Sequence, residues 1–172
     1  MSLETERRSV QREIAIDARP ETVWELLVDP AQAVRWMGQV ASFDVRPGGR
    51  YRVEVIPNNV ASGRFVEIDP PRRLVLTWGW EPGSGSPLPP GSTTVVFELE
   101  PHGDGTLLHF SHRDLPDADA ATKHGHGWEH YLERLRVCAA GGDPGRDPWI
   151  DQPMPDMQEP QGGVDRGKGR AS

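Results

Sequence analysis

Residues 123–135 read KHGHGWEHYLERL and bring His124, His126 and His130 close together, with Trp128 and Glu129 between the last two. Imidazoles at this density suit metal ligation or proton transfer. His126 and His130 are four apart, a spacing that turns both toward one ligand on a helix. The zincin arrangement HExxH needs a glutamate directly after its first histidine, but Gly127 follows His126 and Glu129 lies outside that slot. A third ligand would have to come from His112 or a distant acid. No metal and no cofactor are therefore expected. His126 and His130 are placed on or near the wet flank of a helix whose dry face carries Trp128 and Leu132. Gly125 and Gly127 are expected to let that helix approach a sheet.

His112 is the sharper candidate. In TLLHFSH (106–112) it shares strand parity with Leu108 and Phe110, so it should reach the rim of an apolar space. A polar ring on an apolar face needs a partner or a ligand. The plainer reading is a histidine satisfied by backbone or water. The other is an acid–base residue, and His112 is the one candidate for that role. His124 is grouped with it. His109 has the opposite parity and should face solvent, while His102 lies in a turn. Asp44 and Glu54 fall on the polar parity of their strands, so solvated faces explain them. No GxSxG, P-loop, strand-following GxGxxG or DxD pair is present. The single cysteine, Cys138, follows Leu135 by three positions, which fits burial rather than reactivity.

The chain has six Trp and four Phe. Trp78 and Trp80 share the apolar face of one strand, Trp128 lies on the apolar face of a helix, and Trp36 ends a short one. Each indole is a flat apolar surface with one N–H donor, suited to an aromatic or acyl ligand. Core filling is the plainer reading, above all for Trp128. The expected ligand-binding set is Trp36, Phe43, Tyr51, Val53, Trp78, Trp80, Phe97, Phe110, His112, His124 and Trp128.

These residues need elements to position them. VQREIAID (10–17) alternates as a half-buried strand. ARPETVWELLVDP (18–30) is a helix with Pro20 in its first turn, ending near Asp29-Pro30. AQAVRWMG (31–38) reads as a second short helix ended by Gly38. ASFDVRP and YRVEVIP flank the hairpin signal Pro47-Gly48-Gly49. SGRFVEID (62–69), RRLVLTWGW (72–80), STTVVFELE (92–100) and TLLHFSH continue the strands, and EPGSGSPLPPGS (81–92) is a breaker-rich loop. A long helix runs from about Asp117 to Ala140. The predicted class is α+β: a curved antiparallel sheet of about six to seven strands wrapped around that helix, with two short helices after the first strand. The folded domain spans 8–140. Residues 141–172, rich in Pro and Gly, form a poorly ordered tail with Trp149 and Ile150 as its docking residues.

The 172 residues, 35% hydrophobic and 26% charged, suffice for one core. A net charge of −7 repels phosphate backbones, so no nucleic-acid partner is expected. The polar start lacks an apolar signal region, and no run reaches the ~18 apolar residues of a membrane span. A cytoplasmic protein without membrane partners is expected.

The sequence resembles the START-like (SRPBCC) superfamily with its helix-grip, Bet v 1-like fold. Within it, it is similar to the branch named after the activator of Hsp90 ATPase. The matching stretches are IAIDARPETVWELLVDPAQAVRWMG (14–38), RPGGRYRVEV (46–55), GRFVEIDPPRRLVLTWGW (63–80), VVFELEPHGDGTLLHFSHRDLP (95–116) and HGHGWEHYLERL (124–135). AAGGDPGRDPW (139–149) looks like a segment of bacterial members. The resemblance implies a cavity between the long helix and the concave sheet, and no catalytic residue. Three functions are set against one another. The leading one is binding of a small apolar or aromatic ligand. The second is a cyclase or aromatase using His112. The third is a co-chaperone-like interaction module, disfavoured because the namesake's additional N-terminal domain has no room in this chain. A homodimer through exposed strand edges is compatible with this fold.

Overall fold

In the computed structural model, residues 8–153 are described. Strand β1 (Val10–Ile16) turns Val10 and Ile16 inward. Helix α1 (Pro20–Val28) starts on Pro20, whose fixed φ suits a first turn, and buries Val23, Trp24, Leu26 and Leu27. Pro30 holds Asp29 extended and so ends it. Asp29 then caps helix α2 (Pro30–Ala33), its side chain accepting from the Ala31 N–H. This second helix is shorter than the expected 31–38. The Trp36 indole N–H donates to the Leu26 carbonyl at 2.8 Å, drawing the chain back over α1 as turns until Gly38 at φ +91°.

Strands β2 (Val40–Phe43), β3 (Arg50–Ile56), β4 (Asn59–Asp69), β5 (Arg73–Trp78), β6 (Thr93–His102) and β7 (Gly105–Arg113) follow. With β1 they form one seven-stranded sheet in the order β1-β7-β6-β5-β4-β3-β2. Every neighbouring pair is antiparallel. β4 starts three residues before the expected SGRFVEID. Asn58 adopts a left-handed φ of 73°, which closes a tight turn and lets Asn59 pair at once with Ile56. Register shifts at Glu54/Ile56 and Phe65/Glu67 bend β3 and β4 and add to the sheet's curvature.

Helix α3 (Ala118–Ala139) fills the concave side. The Asp117 side chain caps it by accepting from the Ala120 N–H at 2.8 Å. Ala121, Gly125, Trp128, Leu132, Leu135 and Ala139 recur at three- and four-residue spacing along its buried face. Gly125 makes the expected close approach, since an added Cβ would lie 3.2 Å from Arg12 Nη2 on β1. Gly127 does not. Two residues on, it has rotated by roughly 200° about the helix axis, and a Cβ there meets nothing within 4 Å.

The loop after β5 is less free than its Gly/Pro content suggests. Trp80 N–H donates to the Leu88 carbonyl at 2.8 Å, and Leu88 is buried. Arg52 grips Glu81 with a two-pronged guanidinium–carboxylate pair at 2.9 and 3.1 Å. Gly79 runs beneath this loop so tightly that a Cβ would sit 1.7 Å from the Pro89 carbonyl oxygen.

Residues 141–153 dock on α3, with Trp149 and Ile150 packed against the core as expected and the segment around them ordered rather than loose. Asp147 is only 5% exposed and accepts from Tyr131 Oη–H at 2.5 Å, from His130 Nε2 at 2.8 Å and from the Trp149 N–H at 3.0 Å. A 3-10 turn, Pro148–Ile150, lays the Trp149 ring flat on His130 with centroids 3.7 Å apart. His130, expected on the wet flank, is therefore largely covered. His126 is exposed. The remainder of the expected tail, 154–172, lies outside the described residues.

The two glycines give opposite expectations. Gly127→Ala should raise unfolding free energy by about 0.5–1 kcal/mol, the helix-propensity difference, because nothing opposes the added methyl. Gly79→Ala should lower it by about 1–3 kcal/mol through backbone overpacking. Urea denaturation of both variants measures the difference.

Candidate functional site

Most of the aromatic residues that strand parity placed inside form one continuous run. Phe43 stacks on Tyr51 at 4.8 Å, Tyr51 lies 5.9 Å from Trp78, and Trp78 lies 5.1 Å from Trp128. Trp128 touches Phe110 at 4.5 Å, and Phe110 meets Phe97 at 5.2 Å. The run crosses the sheet from β2 to β7 beneath α3. Tyr51, Val53, Trp78, Phe97, Phe110, His112 and Trp128 are buried, whereas Phe43, at one end of the run, and the Trp80–His124 pair are half-buried. Trp36 stands apart. It is buried, but its N–H belongs to α1 and its carbonyl accepts from Arg134 Nε at 3.0 Å, so it ties the region after α2 to α3. Burial pushes the Tyr51 phenol far above its ordinary pKa, so it stays protonated and can act as a donor.

His112 sits within this run, and its partners define its state. The Trp128 indole can only donate, and its N–H points at His112 Nδ1 at 3.0 Å. Nδ1 must therefore carry the lone pair and Nε2 the proton. Nε2 lies 2.8 Å from Thr93 Oγ1, so its N–H donates there. Thr93 in turn donates its own hydrogen to the Trp78 carbonyl at 2.7 Å. The chain of donors runs from α3 through β7 and β6 to β5 without a break. The expected partner of His112 was backbone or water; two side chains fill that role instead. Burial, and secondarily His124, holds the His112 imidazole well below its ordinary range.

His124 repeats the scheme with the opposite tautomer. The Trp80 indole N–H donates to His124 Nε2 at 3.1 Å, so the proton rests on Nδ1, which donates to the Ala120 carbonyl at 2.8 Å. Burial lowers its pKa, the Ala120 bond raises it in part, and Lys123 adds to the lowering. The two imidazoles meet edge to face, 5.0 Å apart. Each accepts one indole N–H. The third indole of the group, Trp78, contributes the only buried side-chain nitrogen or oxygen among the described residues that lacks a hydrogen-bond partner.

Other expected chemistry resolves more simply. Asp44 is exposed and pairs with Arg46 at 2.9 Å. Cys138 is buried, with its thiol pKa raised by that burial and its Sγ 3.3 Å from the Arg35 carbonyl oxygen. His109 lies between Glu13 and Glu100 on the outer face. Among the described residues no three His, Cys, Asp or Glu side chains gather as metal ligands. No helix there is long and apolar enough to cross a membrane.

Sequence reasoning passed over Thr93, the Arg52–Glu81 pair and Asp147. Only Thr93 left a usable signal, since it shares inward parity with Val95 and Phe97. The other two depend on contacts between segments far apart in the chain.

The family described as activator of Hsp90 ATPase homolog 1-like protein matches residues 17–140. An AHSA1-like protein from Rhizobium etli is 44% identical, with coverage of 82% of this chain and 87% of its own and a TM-score of 0.66. CalU16 from Micromonospora echinospora is 32% identical, with coverage of 74% and 73% and a TM-score of 0.61. The Aha1 dimer from Colwellia psychrerythraea, at 18% identity, 78% and 97% coverage and a TM-score of 0.67, shares the fold. No curated protein matches the chain.

The histidine geometry predicts a pH dependence. An unfolded histidine titrates near ~6.5, and both His112 and His124 are held lower when folded. Below that pH the unfolded chain binds more protons than the folded one, so stability is full above it and is lost as pH falls. The expected slope is up to about 1.4 kcal/mol per pH unit for each histidine, read from urea unfolding between pH 7.5 and 5. Trp128→Phe frees His112 Nδ1. It should cost about 1–3 kcal/mol at pH 7.5 and move the His112 pKa upward in an NMR titration.

Proposed function

We propose that this chain, which belongs to the family of activator of Hsp90 ATPase homolog 1-like proteins, binds an apolar or aromatic small molecule between its concave sheet and α3. The observation that carries this reading is the aromatic run, buried at its centre and half-exposed at one edge. Trp80 and His124 stand at that edge, with Trp78 and Trp128 behind them. The Trp80 side chain is held over the interior by one hydrogen bond, to His124, while its backbone is fixed by the bond to Leu88 and an isolated bridge to Ala61. Swinging the indole aside breaks that side-chain bond, at a net cost of about 1 kcal/mol, and uncovers flat apolar rings. A guest that stacks on them recovers about 0.5–1.5 kcal/mol per ring pair beyond its buried area.

An acid–base function for His112 finds less support. A general base needs an available lone pair and a general acid an available proton. Trp128 occupies the first and Thr93 the second. The buried group is better suited to shaping a site than to moving protons through it.

The test uses the full chain and N-phenylnaphthylamine, a neutral fluorescent probe. Saturable probe emission with tryptophan quenching is expected, together with a co-purifying small molecule in native mass spectra of protein from its own host. Trp80→Ala removes the cover and the bond that opening must break, so it should tighten probe binding about fivefold. If there is neither saturable binding nor a co-purified guest, the proposal is wrong.

A further inference from the structure

We propose that the ligand carries a neutral carbonyl-type acceptor on an apolar ring system, as a ketone, quinone or lactone does, and that the Trp78 indole N–H is the group that receives it. This inference rests on the binding site proposed above and specifies which guests that site selects.

A buried N–H without an acceptor costs about 1–3 kcal/mol relative to a paired one. The fold meets that demand for both indoles flanking Trp78 by giving each an imidazole nitrogen. Trp78 lies between them, 5.6 Å from Trp80 and 5.1 Å from Trp128, is 2% exposed, and has no acceptor for its N–H among the described residues. Its backbone carbonyl is already engaged by Thr93, so the residue is fixed at both its backbone and its ring contacts. A fixed, buried donor amid aromatic faces is matched by a flat guest with one acceptor.

The neutrality of the acceptor follows from the same contacts. An anionic ligand would need a cation beside it once desolvated. The nearby imidazoles spend all four ring nitrogens on Trp128, Thr93, Trp80 and Ala120, in tautomers that leave both rings uncharged. A carboxylate in the same place would be uncompensated, whereas a ketone requires only the hydrogen bond.

Fluorene and 9-fluorenone have the same ring skeleton and differ by the carbonyl. They are titrated against the uniformly ¹⁵N-labelled full chain, with fluorene-9-carboxylate as the charged member. Its six tryptophans give separable indole N–H signals, and the Trp78 signal is assigned by its loss in Trp78→Phe. The expected result is that fluorenone binds about three- to tenfold more tightly than fluorene, the worth of one neutral hydrogen bond. Its binding should move the Trp78 N–H downfield more than any other indole signal, and the carboxylate should bind most weakly. In Trp78→Phe the two neutral compounds should become equal. The spectra of the unaltered protein keep the test independent of how well that variant folds. Equal affinities for fluorene and fluorenone with an unmoved Trp78 signal overturn this inference while leaving apolar binding in place. Tighter binding of the carboxylate than of fluorenone also overturns it. If none of the three binds, the binding-site reading fails and takes this inference with it.

Discussion

An indole N–H taken out of water must find an acceptor, and this fold carries three of its tryptophans into the interface between one helix and one sheet. That requirement organises the interior. Large aromatic rings are the most effective way to fill the space between α3 and a curved sheet, because each buries a large flat area with few rotatable bonds. Each indole also brings a polar hydrogen into a region with few acceptors, because the strand carbonyls are spent on the ladder. Imidazole resolves the conflict. It is flat and packs like an aromatic ring, and its unprotonated nitrogen accepts in the plane of that ring. Trp128 with His112 and Trp80 with His124 are two instances of one solution.

That solution ties the layers together in a way apolar packing alone does not. Hydrophobic contact between a helix and a sheet tolerates sliding, whereas a directed hydrogen bond does not. The path from Trp128 through His112 and Thr93 to the Trp78 carbonyl fixes α3 against β7, β6 and β5. The pairing of Val95 with His112 and of Trp78 with Thr93 is what brings these groups together across the strands. It also determines their chemistry. A histidine used as an acceptor inside a core is held neutral by its own hydrogen bonds as well as by burial. In both pairs the imidazole accepts an indole N–H.

How much of this could be read from the sequence follows from the range of the interactions involved. Strand parity is local, so placing His112 with Leu108 and Phe110, or Trp78 with Leu74 and Leu76, needed only neighbouring residues. The turn at Gly48 and the stop at Asp29-Pro30 were equally local, since each depends on the φ preference of one or two residues. Partner identity was not legible. That Thr93 receives His112 depends on the register between β6 and β7, and nothing in TTVVF specifies that register by itself. The loop after β5 was legible as a loop, but its attachments were not, for a similar reason. Its Gly and Pro content signals irregular backbone, but irregular backbone can still be pinned, and Arg52 with Glu81 does so from a strand 29 positions away. Gly127 did mislead, because a glycine on the open side of a helix leaves the same trace in sequence as one at a close approach.

The segment after α3 shows how far the same logic extends beyond the aromatic run. Asp147 is a buried carboxylate, and burial alone would raise its pKa. Hydrogen bonds from His130, Tyr131 and the Trp149 backbone outweigh that effect and hold it below the ordinary range. The carboxylate thus acts as a three-way knot joining two successive side chains of α3 to the chain that follows. Arg134, one turn further along α3, adds a second attachment by donating to the Pro144, Gly145 and Trp36 carbonyls at once. The far half of the helix is thereby bound to the region after α2 and to residues 141–153. Asp117 caps the first turn of the helix, and near its midpoint Arg12 on β1 reaches Glu129 at 2.7 Å. The far half of α3 is thus anchored by polar contacts outside the aromatic run, while His124 and Trp128 join the rest of the helix to the sheet from within it. Trp80 belongs to the loop and not to α3, and its one side-chain bond to the helix, at His124, is separate from the Asp147 and Arg134 attachments.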